Sequence, residues 1–161
     1  MSKLLIKNLK NLLEDALNTT PSLRTARVII YYDSQERDHL ARGARIITNR
    51  SEIAYDGTST TEDSIEKNGS ALAIVDLEFS DGEELQELIT IGDLIEILNQ
   101  KDVNLDADVL CHFAVKDFVV YACEARIFTA PDDHYICDRA TIASAIAECG
   151  AALVISDYKL N

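Results

Sequence analysis

Arg37, Arg42, Arg45 and Arg50 gather around Gly43 in the basic N-terminal third of the chain. Planar guanidinium groups beside a glycine-containing turn suit a phosphate or a nucleotide-like ligand. The plainer alternative is that alternate arginines on a strand face solvent or pair with acids elsewhere in the molecule. Just upstream, Asp33, Glu36, Asp38 and His39 have the side-chain types of a Mg²⁺, Mn²⁺ or general-base site. Their spacing matches no mechanical motif, and a solvated polar loop accounts for them as well. His134-x-x-Cys137, with Cys111-His112 and Cys123, offers soft ligands for zinc, but not at finger or ribbon spacing. Cys111 and His134 could act as a nucleophile and base only if the fold brought them together. The four cysteines form no CxxC pair, so the expectation is free, buried thiols in a reducing cytoplasm, with no metal and no cofactor. A Gly-rich phosphate loop, a GxSxG elbow and an HExxH pair are all missing, and the reading leans away from an enzyme.

Charge is the second source of function. The net charge of −13 is unevenly spread: residues 1–50 carry +4 and the remainder −17. Asp81–Asp108 alone holds nine acids against one base, Lys101. Ordinary nucleic-acid binding is disfavoured, because a polyanion binder is expected to be basic. Glu83, Glu84, Glu87, Asp93, Glu96, Asp102, Asp106 and Asp108 are the candidate interaction face for a basic partner. The competing reading is that this charge only keeps the protein in solution.

These groups need elements to hold them. With 161 residues, 47% of them hydrophobic, the chain can bury one core, as a single domain over 1–161 or two small lobes, 1–80 and 81–161. No apolar run approaches the roughly 18 residues that cross a bilayer. Leu5, Leu9, Leu12, Leu13, Ala16 and Leu17 form a helical stripe, ended before Pro21, and Ala26–Tyr32 reads as a strand. Asp33–Arg42 reads as a polar loop, followed by strands at Ala44–Thr48 and Glu52–Tyr55. The Ser/Thr-rich stretch Asp56–Ser70 reads as a flexible loop with one helical turn near Glu62–Lys67. Ala71–Phe79 is a strand, and Glu83–Leu88 fits a helix about as well as a strand. Thr90 and Asp93 form a capping box for a helix whose stripe is Ile91, Leu94, Ile95 and Leu98. Val109–Val115 and Phe118–Phe128 make a hairpin around Lys116-Asp117, apolar enough to need cover on both faces. Asp138 caps a last helix that Gly150 ends, and Ala151–Ser156 is the final strand.

The economical fold is α+β, a mainly antiparallel or mixed sheet flanked by about three helices. Shared spacing between Thr90-Ile91…Leu94-Ile95 and Thr141-Ile142…Ala145-Ile146 raises an internal α-β-β duplication, with the first helix and Arg27–Asp33 as a looser third copy.

The run Thr90-Ile91-Gly92-Asp93-Leu94-Ile95-Glu96-Ile97-Leu98, followed by Asp106-Ala107-Asp108-Val109, resembles a helix–strand unit of small uncharacterised phage and mobile-element proteins. It covers about a quarter of the chain and carries no catalytic motif, so it implies an origin and no mechanism. Together these readings lead to an acidic, non-enzymatic inhibitor or anti-defence protein in a host cytoplasm, docking on a basic, nucleic-acid-binding protein surface. A toxin-immunity protein fits the same features. The alternative is a protein that binds or sequesters a nucleotide-like small molecule at the arginines. Whether the chain pairs as a homodimer, and whether its basic and acidic parts meet within one molecule, the sequence leaves open.

Overall fold

Runs such as Ala71–Val75 and Ala152–Ser156 contain almost no polar residue, so a sheet built from them has to be covered on both sides. The computed structural model describes residues 3–49, 59–76, 88–114, 118–129, 135–158 and 160. Within them the chain forms helix α1 (Ile6–Thr19), strands β1 (Arg27–Tyr32), β2 (Arg37–Leu40) and β3 (Gly43–Ile47), helix α2 (Thr60–Asn68) and strand β4 (Ala71–Val75). Helix α3 (Ile91–Leu98) follows, then β5 (Asp108–Phe113), β6 (Phe118–Tyr121), β7 (Glu124–Phe128), helix α4 (Ala140–Cys149) and β8 (Ala152–Ser156). The strands form two four-stranded sheets, ordered β3-β4-β5-β6 and β2-β1-β8-β7. In each, the central pair is parallel and the outer pairs are antiparallel. The class is α+β with mixed sheets, carried by four helices where about three were expected.

The two sheets face each other. Val28 and Ile30 of β1 and Leu153 and Ile155 of β8 share one core with Leu72 and Ile74 of β4 and Val109, Cys111 and Phe113 of β5. Helices α1 and α3 contribute Ile6, Leu9, Leu13, Ile91, Leu94 and Leu98 to the same core. Alternate strand residues point outward beneath the other two helices. Ile29, Tyr31 and Val154 meet Ile142 and Ile146 of α4, while Ala73, Leu110 and Val119 pack with Ile65 of α2. Full cover on both faces explains why the strands read as continuous apolar runs.

Local signals set several boundaries. The Asp93 N–H donates to Thr90 Oγ1 at 3.2 Å and the Thr90 N–H to Asp93 Oδ2 at 3.0 Å, closing the expected capping box. Gly150 ends α4 at φ 81°, a left-handed position that a side chain would strain.

Elsewhere the structure corrects the expectations. Residues 37–40 of the anticipated polar loop are strand β2, because pairing with β1 satisfies their backbone. The single helical turn expected near Glu62–Lys67 is a nine-residue helix, α2. Phe118–Phe128 is two strands in different sheets, with the chain crossing between them at Ala122-Cys123. Helix α4 starts after Arg139, and Asp38 of β2 accepts from the N–H groups of Thr141 and Ile142, both at 3.1 Å. The expected strand Glu52–Tyr55, the turn Lys116-Asp117, the end of the Ala71–Phe79 strand and residues 83–87 of the Glu83–Leu88 stretch lie outside the described residues.

The hydrogen bonding repeats. Adding 81 to the β1–β2 pairing Ile30↔His39 gives the β5–β6 pairing Cys111↔Val120. The same shift turns the β3–β4 pairing Arg45↔Ala73 into the β7–β8 pairing Arg126↔Val154. It also exchanges the two parallel pairings, Ile29↔Val154 and Ala73↔Leu110. The Ile6 N–H donates to Ala107 O at 2.9 Å, and the Ile91 N–H to Ala26 O at 3.0 Å. By this correspondence α1 matches α3 and α2 matches α4, and each sheet draws two strands from each half of the chain.

Candidate functional site at the carboxyl ends of the central strands

In mixed sheets of this kind, groups that can act on a ligand are best displayed beyond the carboxyl ends of the parallel strands. Here β1 and β5 end next to each other, at Tyr32 and Phe113, whose ring centroids are 5.8 Å apart. Phe118 joins them, 4.9 Å from Tyr32 and stacked on Phe113 at 5.0 Å. Beyond β4, the next residue is Asp76, whose side chain is only 2% exposed. A carboxylate so buried has to be compensated by hydrogen bonds. The Ala114 N–H donates to its Oδ1 at 2.8 Å, and His39 Nδ1 lies 2.8 Å from its Oδ2.

His39 is placed by β2. It pairs with Ile30, and so points from the second sheet toward the first, where its ring meets Phe113 edge-on at 5.7 Å. Its side chain keeps 26% of its surface exposed. With Nδ1–H held by the Asp76 carboxylate, Nε2 is left as an outward acceptor, or as a second donor when the ring is protonated. Arg37, paired with Tyr32, lies on the same face of β2 two residues earlier.

The other half of the repeat shows which of these features belong to the scaffold. Asp157 corresponds to Asp76, and the Asp33 N–H donates to its Oδ1 at 2.9 Å, as Ala114 does to Asp76. A strand-end aspartate that holds the next turn therefore occurs in both halves. The partner differs: where one half has Arg37 and His39, the other has Phe118 and Val120. Asp157 is half-buried, and burial, reinforced by the charge of Asp33, pushes its carboxyl above the ordinary 3.8 despite the backbone hydrogen bonds it accepts.

The groups singled out from sequence are largely dispersed. Arg45, opposite Ala73, lies on the α2 side of the first sheet, whereas Arg37 faces the space between the sheets. The chain changes sheet at Ala41-Arg42, which separates the arginines that the sequence had grouped; Arg50 lies outside the described residues. Asp33, Glu36, Asp38 and His39 also part company. Asp33 engages Asp157, Asp38 caps α4 and lies 3.9 Å from Arg139, and Glu36 lies 3.8 Å from the same arginine. Among the described residues, no three His, Cys, Asp or Glu side chains are placed to hold a metal. Cys111 lies between the sheets and Cys137 beneath α4, on opposite sides of the second sheet; His134 lies outside the described residues. Burial, first of all, raises the Cys111 thiol far above its ordinary range, which makes it inert.

On the acidic side, Asp93 is occupied in its capping box and Asp106 forms an exposed ion pair with Lys7 at 3.0 Å. Asp108 is withdrawn from the surface at 2% exposure, accepting from Ser64 Oγ at 2.8 Å and Asn68 Nδ2 at 3.4 Å. Glu96 and Asp102 are exposed, and Glu83, Glu84 and Glu87 lie outside the described residues. Lys7–Asp106 and Arg27–Glu148, the latter at 3.6 Å, show that basic and acidic parts of the chain do meet within one molecule.

Asp76 escaped sequence reasoning. Its one signal was an acid directly after a run of five apolar residues, a position where a carboxylate meets the unpaired backbone of a strand end. Among the described residues no helix is long and apolar enough to cross a membrane. No protein-family model, curated protein or solved structure matches the chain.

Proposed function

We propose that the protein binds a small anionic ligand carrying a planar group, in the manner of a nucleotide, beside Arg37 and His39. The observation that carries this reading is the difference between the two halves. Arg37 and His39 stand where the matching positions hold Phe118 and Val120. A guanidinium and, in its protonated form, an imidazole can share an anionic group through charge-assisted hydrogen bonds. Tyr32 and Phe118, both half-buried, present ring surface on which a planar group can stack. His39 is held in one orientation by Asp76, so less ordering accompanies binding.

The test is isothermal titration with adenosine and guanosine mono- and diphosphates, with inorganic phosphate as control. Arg37→Phe and His39→Val copy the other half of the chain. Each should weaken nucleotide binding about 10- to 100-fold, the value of one charged hydrogen bond. Unchanged affinity in both variants, with their circular dichroism intact, would exclude the site, as would failure of every nucleotide to bind the parent protein.

A second reading, docking on a basic protein surface, is favoured by Leu105. It is 42% exposed and sits between the exposed acids Asp102 and Asp106. Its signature is binding to a cationic protein that weakens steeply as salt rises.

A further inference from the structure

The shift of 81 residues reaches every strand pairing and most of the hydrogen bonds that join elements. The Leu4 N–H donates to Ala122 O at 2.8 Å, and the Ile89 N–H to Ala41 O at 3.2 Å. The Arg42 N–H donates to Val75 O at 2.9 Å, and the Cys123 N–H to Ser156 O at 2.7 Å. Isolated bridges Leu5↔Asp108 and Thr90↔Arg27 correspond too, with the strand residues shifted by 81 and the residues before the helix, like Leu4 and Ile89, by 85. Only the helix before the first strand departs, because the turn Pro21–Thr25 adds residues between α1 and β1. The residues agree with the bonds. Gly69-Ser-Ala-Leu-Ala-Ile-Val-Asp76 lies over Gly150-Ala-Ala-Leu-Val-Ile-Ser-Asp157, and Ala44-Arg-Ile46 over Ala125-Arg-Ile127. Both glycines are left-handed helix ends, at φ 79° and 81°.

We infer that the chain is two copies of one α-β-β-β-α-β unit, interlocked as an exchanged dimer, so that the partner each unit fits is a second copy of itself. In each copy the first two strands form a hairpin that leaves for the sheet containing the other copy's third and fourth strands. The joints between copies are the two parallel pairs, β1 with β8 and β5 with β4. One unit alone would expose both faces of its hairpin and the inner edge of its last strand. Strands apolar on both faces cannot be left in water. The exchange hides them, and the shared core between the sheets takes residues from both copies.

This arrangement makes the two links between copies interchangeable. Asp76 and Ile89 flank one link, and Asp157 and Leu4 stand at the corresponding places of the other. A circular permutant therefore provides the test. Residue 161 is joined to residue 1 by a linker of about five residues, which makes that link about as long as 77–88. New termini are opened between Asp81 and Gly82. The permutant should match the parent in circular dichroism and native mass, with an unfolding midpoint within about 4 °C of the parent's. In parallel, a protease site placed in the 77–87 segment of the full chain is cut. The two fragments should stay together in native mass spectrometry and part only in denaturant. Fragments that separate on cutting would overturn the interlocking. A permutant that fails to fold while the cut protein holds together would overturn the equivalence of the copies.

Discussion

Asp76→Ala and Asp157→Ala remove corresponding carboxylates, and the structure assigns them unequal costs. At Asp76 the loss strips two partners. The Ala114 N–H, part-buried, loses its acceptor at 2.8 Å, which costs about 1–3 kcal/mol for an unsatisfied donor. His39 loses the carboxylate 2.8 Å from its Nδ1, a charge-assisted bond worth about 1.5–3 kcal/mol. Removing one member of a buried pair commonly costs about 3–5 kcal/mol, which lies within the range of that sum. At Asp157 the partners lost are backbone N–H groups, that of Asp33 and its own. The carboxylate removed there was itself disfavoured by burial, so about 0.5–1.5 kcal/mol is expected. The gap between the variants should be about 2 kcal/mol or more. Urea unfolding at neutral pH, followed by far-ultraviolet circular dichroism, reads it, with tyrosine fluorescence as a second probe since the chain has no tryptophan. A cycle with His39→Val isolates the pair itself, with a coupling of about 1–2 kcal/mol expected. Equal costs for the two aspartates, within about 0.5 kcal/mol, would refute the claim that Asp76 is the one with a second, side-chain partner.

Two further outcomes follow from single atoms. Gly92→Ala should destabilise the protein by about 1 kcal/mol even though alanine favours a helix by roughly that amount. An added Cβ would sit 3.2 Å from the backbone oxygen of Arg24, closer than ordinary contact; a stabilised variant would show that the turn gives way. The second concerns pH. A carboxyl whose folded-state pKa lies above 3.8 makes the native state bind more protons than the unfolded state. Stability then falls as pH rises from below 3.8 through the folded value. Asp157→Asn keeps an oxygen for the Asp33 N–H and cannot ionise, so its stability relative to the parent should grow between pH 3 and pH 7. A difference that is flat or reversed across that range, in urea unfolding, would remove burial as the cause.

What could be read from the chain was what is decided locally. Thr90 and Asp93, three residues apart, specify a cap regardless of what surrounds them, and Gly150 specifies a helix end. The apolar strands announced their two covered faces. Strand partners were another matter. Nothing in the pattern from Phe118 to Phe128 marks Ala122-Cys123 as the place where the chain leaves one sheet for the other, because both sheets bury their strands alike. The acids illustrate the same limit. Asp106 and Asp108 look equivalent in sequence, yet Asp108 opens β5 and turns inward to Ser64, 44 residues away, while Asp106 lies in the turn before the strand and stays outside. The arginines were grouped by sequence distance, and a sheet change separated them. Charge counts describe a surface only after the fold has chosen which charges reach it.

The internal repeat supplies a contrast that isolates function from scaffold. Both halves keep a strand-end aspartate bonded to the backbone of the next turn, so that carboxylate belongs to the architecture. On the apolar side of the pseudo-symmetric end, Phe118 stacks on Phe113 and touches Tyr32, the arrangement that favours stability there. On the other side the same positions hold an arginine and a histidine, whose partial burial carries a desolvation cost that an aromatic and a valine would not. Beyond the bond from His39 to Asp76, stability gives no reason to prefer the polar pair. A local choice that disagrees with its own symmetric counterpart, at the carboxyl ends of parallel strands, is where a site is expected. Copying Phe118 and Val120 into positions 37 and 39 separates the two roles: the scaffold should keep its fold while the ligand is lost.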